Sequence, residues 1–191
     1  MARALPELRA KVALNPAGRG LSRARVTACA VRLLDLGFFR VGSDRHTRTS
    51  ETYGLTTWDR GAWQDLRGDD LNEALRRLSG TDVTAEDFRT WHATVPAAVA
   101  VSVAARDARA TEAARRRQIA RAVREVSRYL GKTPAVCRTS YIDPKVFELF
   151  EEGVTVAPVI TRLGEHGEFG RPATRGAVEA AVLDLLDGSG G

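Results

Sequence analysis

Helix punctuation constrains what this chain can fold into more than any other feature of its sequence. Ser22, Thr84 and Thr133 stand where a side-chain oxygen can cap a helix, and Gly37, Gly80 and Gly131 stand where a left-handed residue is needed to end one. Between these marks the apolar residues recur at spacings of three and four. The segment after Ser22 puts Val26, Ala30 and Leu33 on one face. Asp69 or Asp70 opens a short helix carrying Leu71, Leu75 and Leu78. Thr84, with Asp87 three residues on, is a capping-box-like start. The helix it opens sets Phe88, Trp91, Val95 and Val99 in one stripe, with a kink expected at Pro96. Residues 111–130 form a long helix whose inner positions are Ile119, Val123, Val126 and Leu130. Thr133-Pro134 and Asp143-Pro144 each pair a cap residue with a proline at the first helical position. Residues 153–172 read as a loop rich in Gly, Thr and Pro, before a last helix with Val178, Val182 and Leu185 and a GSGG tail. Extended pieces are expected only near 38–41 and 53–57. The expected fold is mainly α with little sheet.

Several classes of protein are set aside by the same pass. The longest nearly apolar run, residues 95–105, is far short of the roughly 20 residues that span a bilayer. The opening MARALPELRAKV has no uninterrupted apolar core of a secretory signal. Cys29 and Cys137 are the only cysteines, so a disulfide framework is not expected; both fall in apolar helical segments and read as inert. His46, His92 and His166 are scattered, and no HExxH or CxxC occurs. There is no P-loop, GxGxxG or GxSxG, and the glycines of GEHGEFG follow no strand. The expectation is a cytoplasmic protein with no membrane partner, metal or nucleotide cofactor.

Charge is distributed unevenly. Lys and Arg number 29 against 24 Asp and Glu among the 191 residues, yet residues 89–141 alone carry 11 basic and 3 acidic side chains. Residues 142–191 carry 4 and 9. A polyanionic partner suits such a concentration of positive charge. Arg117, Arg121, Arg124 and Arg128 fall on the helix face opposite the inner stripe of 111–130. A stripe of this kind either meets nucleic-acid phosphates or is simply a solvated face, and sequence leaves both open. Among all the cations only Lys11, Lys132 and Lys145 are lysines.

Four stretches then carry a specific resemblance. RLLDLGFFRVGS (32–43), YGLTT (53–57), VTAEDFRTWHAT (83–94) and LGKTPAVCRTSYIDP (130–144) lie in order along the chain. Together they resemble the catalytic domain of bacterial, poxvirus-like type IB DNA topoisomerases. The last is the most specific, since it joins a helix stop, a new helix and a tyrosine at fixed spacing. The resemblance implies the mainly α fold shared by type IB topoisomerases and tyrosine recombinases, over residues 1–172, with residues 173–191 as a C-terminal helix and tail. It implies ATP- and metal-independent transesterification on duplex DNA, through a 3′-phosphotyrosyl link. By matched position, Tyr141 is the nucleophile and Arg40 and Arg89 are phosphate-binding cations. Lys132 fills a slot where the family carries His or Asn. Guanidinium groups suit that work because they match phosphate oxygens in a bidentate fork and stay charged. Arg117, Arg121, Arg124, Arg128 and Arg138 are the expected further DNA contacts of a monomeric, nucleoid-associated protein.

The sequence also departs from the family. A hairpin lysine that protonates the leaving 5′-oxygen is expected between the two arginines, and no lysine occurs between Lys11 and Lys132. The segment from Thr57 to Gly80 is too short for that hairpin and its following helix. The family's β-rich clamp domain has no counterpart in this sequence. Two rivals follow. One is a DNA-binding remnant that keeps the phosphate pocket without turnover. The other is a tyrosine recombinase, which the lack of an HxxR box before Tyr141 disfavours.

Overall fold

Every regular element among the described residues is a helix. The computed structural model describes residues 1–13, 22–37, 67–105, 111–165 and 172–188. Arg40, and the expected extended pieces near 38–41 and 53–57, lie outside them. The chain divides into two units: Met1 with Arg3–Arg89, and Ala2 with Thr90–Gly191.

In the first unit, α1 (Leu5–Ala13), α2 (Arg23–Leu36) and α3 (Gly68–Ser79) pack on one another. Each contributes a stripe at helical spacing. Leu5, Leu8 and Val12 come from α1, Thr27, Ala30, Val31 and Leu34 from α2, and Leu71, Ala74 and Leu75 from α3. Burying an aliphatic side chain of this size contributes about 1.5–3 kcal/mol, so these stripes supply the main stabilisation here. Polar groups tie the same helices at their ends. Arg9 forks onto Asp35 at 2.8–3.0 Å, Arg23 pairs with Asp70 at 2.6 Å, and the Lys11 ammonium donates to the Leu78 carbonyl at 2.9 Å. That last bond satisfies a carbonyl at the C-terminal end of α3, where the helix dipole favours a cation.

The predicted punctuation is in place. Ser22 Oγ accepts from the Arg25 N–H, and Gly37, at φ 98°, ends α2. The buried stripe of α2 is turned by one residue from the expected one: Val26 and Leu33 are only half-buried while Thr27 is buried. The reason is local, since the Thr27 hydroxyl donates to the Arg23 carbonyl at 2.8 Å and so enters the core with its polar atom satisfied. In α3 the first helical residue is Gly68, and Asp70 works from inside the helix, accepting the Arg67 N–H at 3.0 Å. The α1 helix was not anticipated; its Leu5, Leu8, Val12 spacing is the signal that marks it.

Helix α4 (Ala85–Ala104) begins in the first unit and ends in the second. Thr84 N and Oγ both donate to the Asp87 carboxylate, at 2.8 and 2.7 Å, as its sequence suggests. The helix continues past Pro96 to Ala104, and its buried side is Phe88, Trp91, Thr94, Ala98 and Val101 rather than Val95 and Val99.

The second unit holds α5 (Glu112–Leu130), α6 (Pro134–Ser140), α7 (Lys145–Glu151), α8 (Ala157–Glu165) and α9 (Pro172–Asp187). Thr111 caps α5 and Gly131, at φ 59°, ends it. Lys132 N then donates to the Ser127 carbonyl at 3.1 Å, the wider of the two bonds that close a Schellman-type stop. Helix α8 corrects the expected loop of 153–172. Thr155 Oγ accepts the Ala157 N–H at 3.3 Å, and Pro158 sits in the first turn, where its missing N–H costs nothing. The helix after Asp143-Pro144 starts one residue later than expected: Pro144 is the cap position of α7 rather than its first residue, and the Asp143 carboxylate accepts from Lys145 N at 2.9 Å.

Candidate active site

Tyr141 closes α6, and its backbone is held on both sides. The helix before it starts as the sequence indicates, with Thr133 Oγ accepting the Val136 N–H and Pro134 in the first turn. At its far end the Cys137 carbonyl accepts both Tyr141 N–H and Ile142 N–H, at 3.1 and 3.0 Å. On the other side, Thr94 of α4 donates its hydroxyl to the Tyr141 carbonyl at 3.4 Å and accepts the Asp143 N–H at 3.1 Å. Thr94 is 2% exposed and Tyr141 9%. The turn that presents the tyrosine is therefore bolted to a buried hydroxyl 47 residues away in sequence.

Lys132 stands at the N-terminal side of α6, between Gly131 and the Thr133 cap, and is half-buried. Its positive charge reaches the Cys137 thiol, opposing the larger effect of burial, which pushes that thiol above its ordinary range. The other two lysines are occupied. Lys11 donates to the Leu78 carbonyl and pairs with Glu7, holding the Glu7 carboxyl below its usual range; Lys145 donates to the Leu186 carbonyl at the end of α9. No hydrogen bond or ion pair engages the Lys132 ammonium among the described residues.

Arg89 lies on α4, five residues before Thr94, and its Nη1 pairs with the exposed Glu86 at 3.1 Å. An exposed carboxylate at i, i+3 is a weak, exchangeable partner. Along α5, Arg117, Arg121, Arg124 and Arg128 are all exposed on one face. Arg121 pairs with Glu125 at 3.0 Å, while no hydrogen bond or ion pair engages the guanidinium groups of Arg117, Arg124 and Arg128 among the described residues. Arg138, exposed on α6, stacks over the Phe147 ring with 5.3 Å to its centroid. Phe88 and Trp91 are buried, as expected of core residues. Cys137 is buried but Cys29 is exposed, so only the first of the two cysteines matches the expectation of a shielded thiol.

Sequence reasoning missed Thr94. It lies at the end of VTAEDFRTWHAT, but a lone threonine on an apolar helix face carries no sign that it bonds a distant turn. Among the described residues no three His, Cys, Asp or Glu side chains group into a metal site, and no helix is long and apolar enough to cross a membrane.

The sequence profile of eukaryotic DNA topoisomerase I, catalytic core, matches residues 59–155, half of the chain. The chain belongs to this family, and the domain is type IB topoisomerase-like. The matched span takes in Arg89, the arginine face of α5, Lys132, Arg138 and Tyr141; Arg40 precedes it. No curated protein matches the chain.

Proposed function

We propose that this chain is a type IB DNA topoisomerase of the bacterial, poxvirus-like kind, acting as a monomer on duplex DNA in the nucleoid. Residues 1–172 form its catalytic domain. Tyr141 attacks a phosphodiester, the P–O5′ bond breaks, and a 3′-phosphotyrosyl ester conserves the bond energy while the cut strand swivels. Reversal by the 5′-hydroxyl reseals the strand, so no ATP enters. Arg40, Arg89 and Lys132 stabilise the charge that builds on the phosphate oxygens, an effect worth about 10²–10³ in rate for each preorganised donor. The arginines of α5 and Arg138 hold the flanking backbone.

The observation that carries this reading is the family match across Arg89, Lys132 and Tyr141, joined to the bracing of the Tyr141 turn from two sides. The departing 5′-oxygen needs a proton, and with Lys11 and Lys145 tied to carbonyls, Lys132 is the lysine free to give one. A group already serving as a phosphate contact is a compromised acid, and general acid catalysis contributes about 10²–10⁴-fold. Relaxation of supercoiled plasmid is therefore expected to be slow. A duplex whose scissile 5′-oxygen is replaced by sulfur is expected to be cleaved far faster, since a thiolate leaves without a proton, and Tyr141→Phe is expected to abolish that cleavage. Rapid plasmid relaxation would overturn the impaired proton transfer. Absence of any covalent adduct with the sulfur substrate would favour the second reading, a DNA-binding remnant, which the missing hairpin lysine supports.

A further inference from the structure

Two buried hydroxyls on α4 do parallel work. Thr94 accepts the Asp143 N–H and donates to the Tyr141 carbonyl; Ser102, eight residues on and 1% exposed, accepts the Val156 N–H at 3.1 Å and donates to the Ala98 carbonyl at 2.6 Å. Each secures a turn that leads into a later helix, Thr94 the turn before α7 and Ser102 the turn before α8. Only the first of these turns contains a tyrosine.

We infer that Thr94 is a positioning residue for Tyr141, setting the register of its phenol against a bound phosphate. The inference rests on the assignment of Tyr141 as nucleophile. The Tyr141 N–H is anchored within its own helix, to the Cys137 carbonyl, and a helix C-terminus frays easily unless the residues beyond it are tied. Thr94 supplies such a tie from a distant helix, gripping both the Tyr141 carbonyl and the N–H of the second residue after it, Asp143. Removing the hydroxyl leaves the half-buried Asp143 N–H without this acceptor and frees the turn to shift. In-line attack tolerates little displacement: a misplacement of about 1 Å costs on the order of 100-fold in rate.

The test uses the full chain and a duplex oligonucleotide with a 5′-sulfur leaving group, scored for covalent adduct under single turnover. Thr94→Val, close to isosteric, is expected to slow adduct formation by about 10- to 100-fold while DNA affinity changes less than about twofold. Thr94→Ser, which keeps the oxygen, is expected to restore most of the rate. Ser102→Ala removes the parallel hydroxyl and is expected to leave the rate unchanged, so a merely structural role separates from positioning. Equal slowing by Thr94→Val and Ser102→Ala, or cleavage by Thr94→Val at the wild-type rate, overturns the inference. If Thr94→Val does not fold, amide exchange in the wild-type protein decides instead: slow exchange of the Asp143 N–H supports the clamp, and exchange at the rate of an exposed amide overturns it. Lack of a Tyr141-dependent adduct in the wild type is a different outcome, which removes the nucleophile assignment itself.

Discussion

Cys137 and Lys132 show how closely the residues around Tyr141 are coupled. The Cys137 carbonyl carries two N–H bonds from the turn, while its side chain faces inward, where burial disfavours the thiolate. The Lys132 ammonium pulls the other way and loses, so the thiol stays protonated near neutral pH. Cys29, exposed on α2, has no such protection. Alkylation at neutral pH followed by mass spectrometry is expected to modify Cys29 at least about tenfold faster than Cys137. Lys132→Ala is expected to slow Cys137 further, because it removes the one charge that favours the thiolate. Equal labelling of the two cysteines contradicts this placement of Cys137.

At the scale of elements, α5 is the helix whose two faces do different things. Ile119, Val123 and Val126 are buried, while the guanidinium groups of Arg117, Arg124 and Arg128 stand exposed with no carboxylate engaged among the described residues. If these three meet phosphates, each Arg→Gln change is expected to lower the log–log salt slope of duplex binding by about 0.9. Arg121 is already paired with Glu125, and Arg121→Gln is expected to lower the slope by less. Slopes unchanged across all four variants mean that the stripe is a solvated face. Elements like this one were legible in sequence because caps are local chemistry: Ser22, Thr111 and Thr133 accept the N–H three residues on, and Gly37, Gly80 and Gly131 take positive φ. What escaped was set by contacts over longer range or by small residues. Val95 and Val99 looked like the inner stripe of α4, but Thr94, Ala97 and Ala98 are the buried residues. Helix α8 hid behind Thr155, Pro158 and Gly164, which suggest a loop by composition yet cap, start and fit within a helix here. Tyr141 was legible from its motif; its partner Thr94 was not, since the link spans 47 residues.

At the scale of the whole molecule the chain divides into two helical units, with Arg89 the last residue of the first and Thr94 within the second. The proposed chemistry makes a specific covalent claim about one oxygen atom. The most direct measurement is therefore the site of attachment. The full chain is trapped on the 5′-sulfur duplex, the DNA is trimmed with nuclease, and the adduct is digested with trypsin. Cleavage after Arg138 and after Lys145 releases the peptide TSYIDPK, in which Tyr141 is the only tyrosine. Mass spectrometry is predicted to find the residual 3′-nucleotide on this peptide, with fragmentation placing the phosphate on Tyr141. A nucleotide on Tyr53, Tyr129 or any residue other than Tyr141, or a chain that binds the duplex and carries none, contradicts the account.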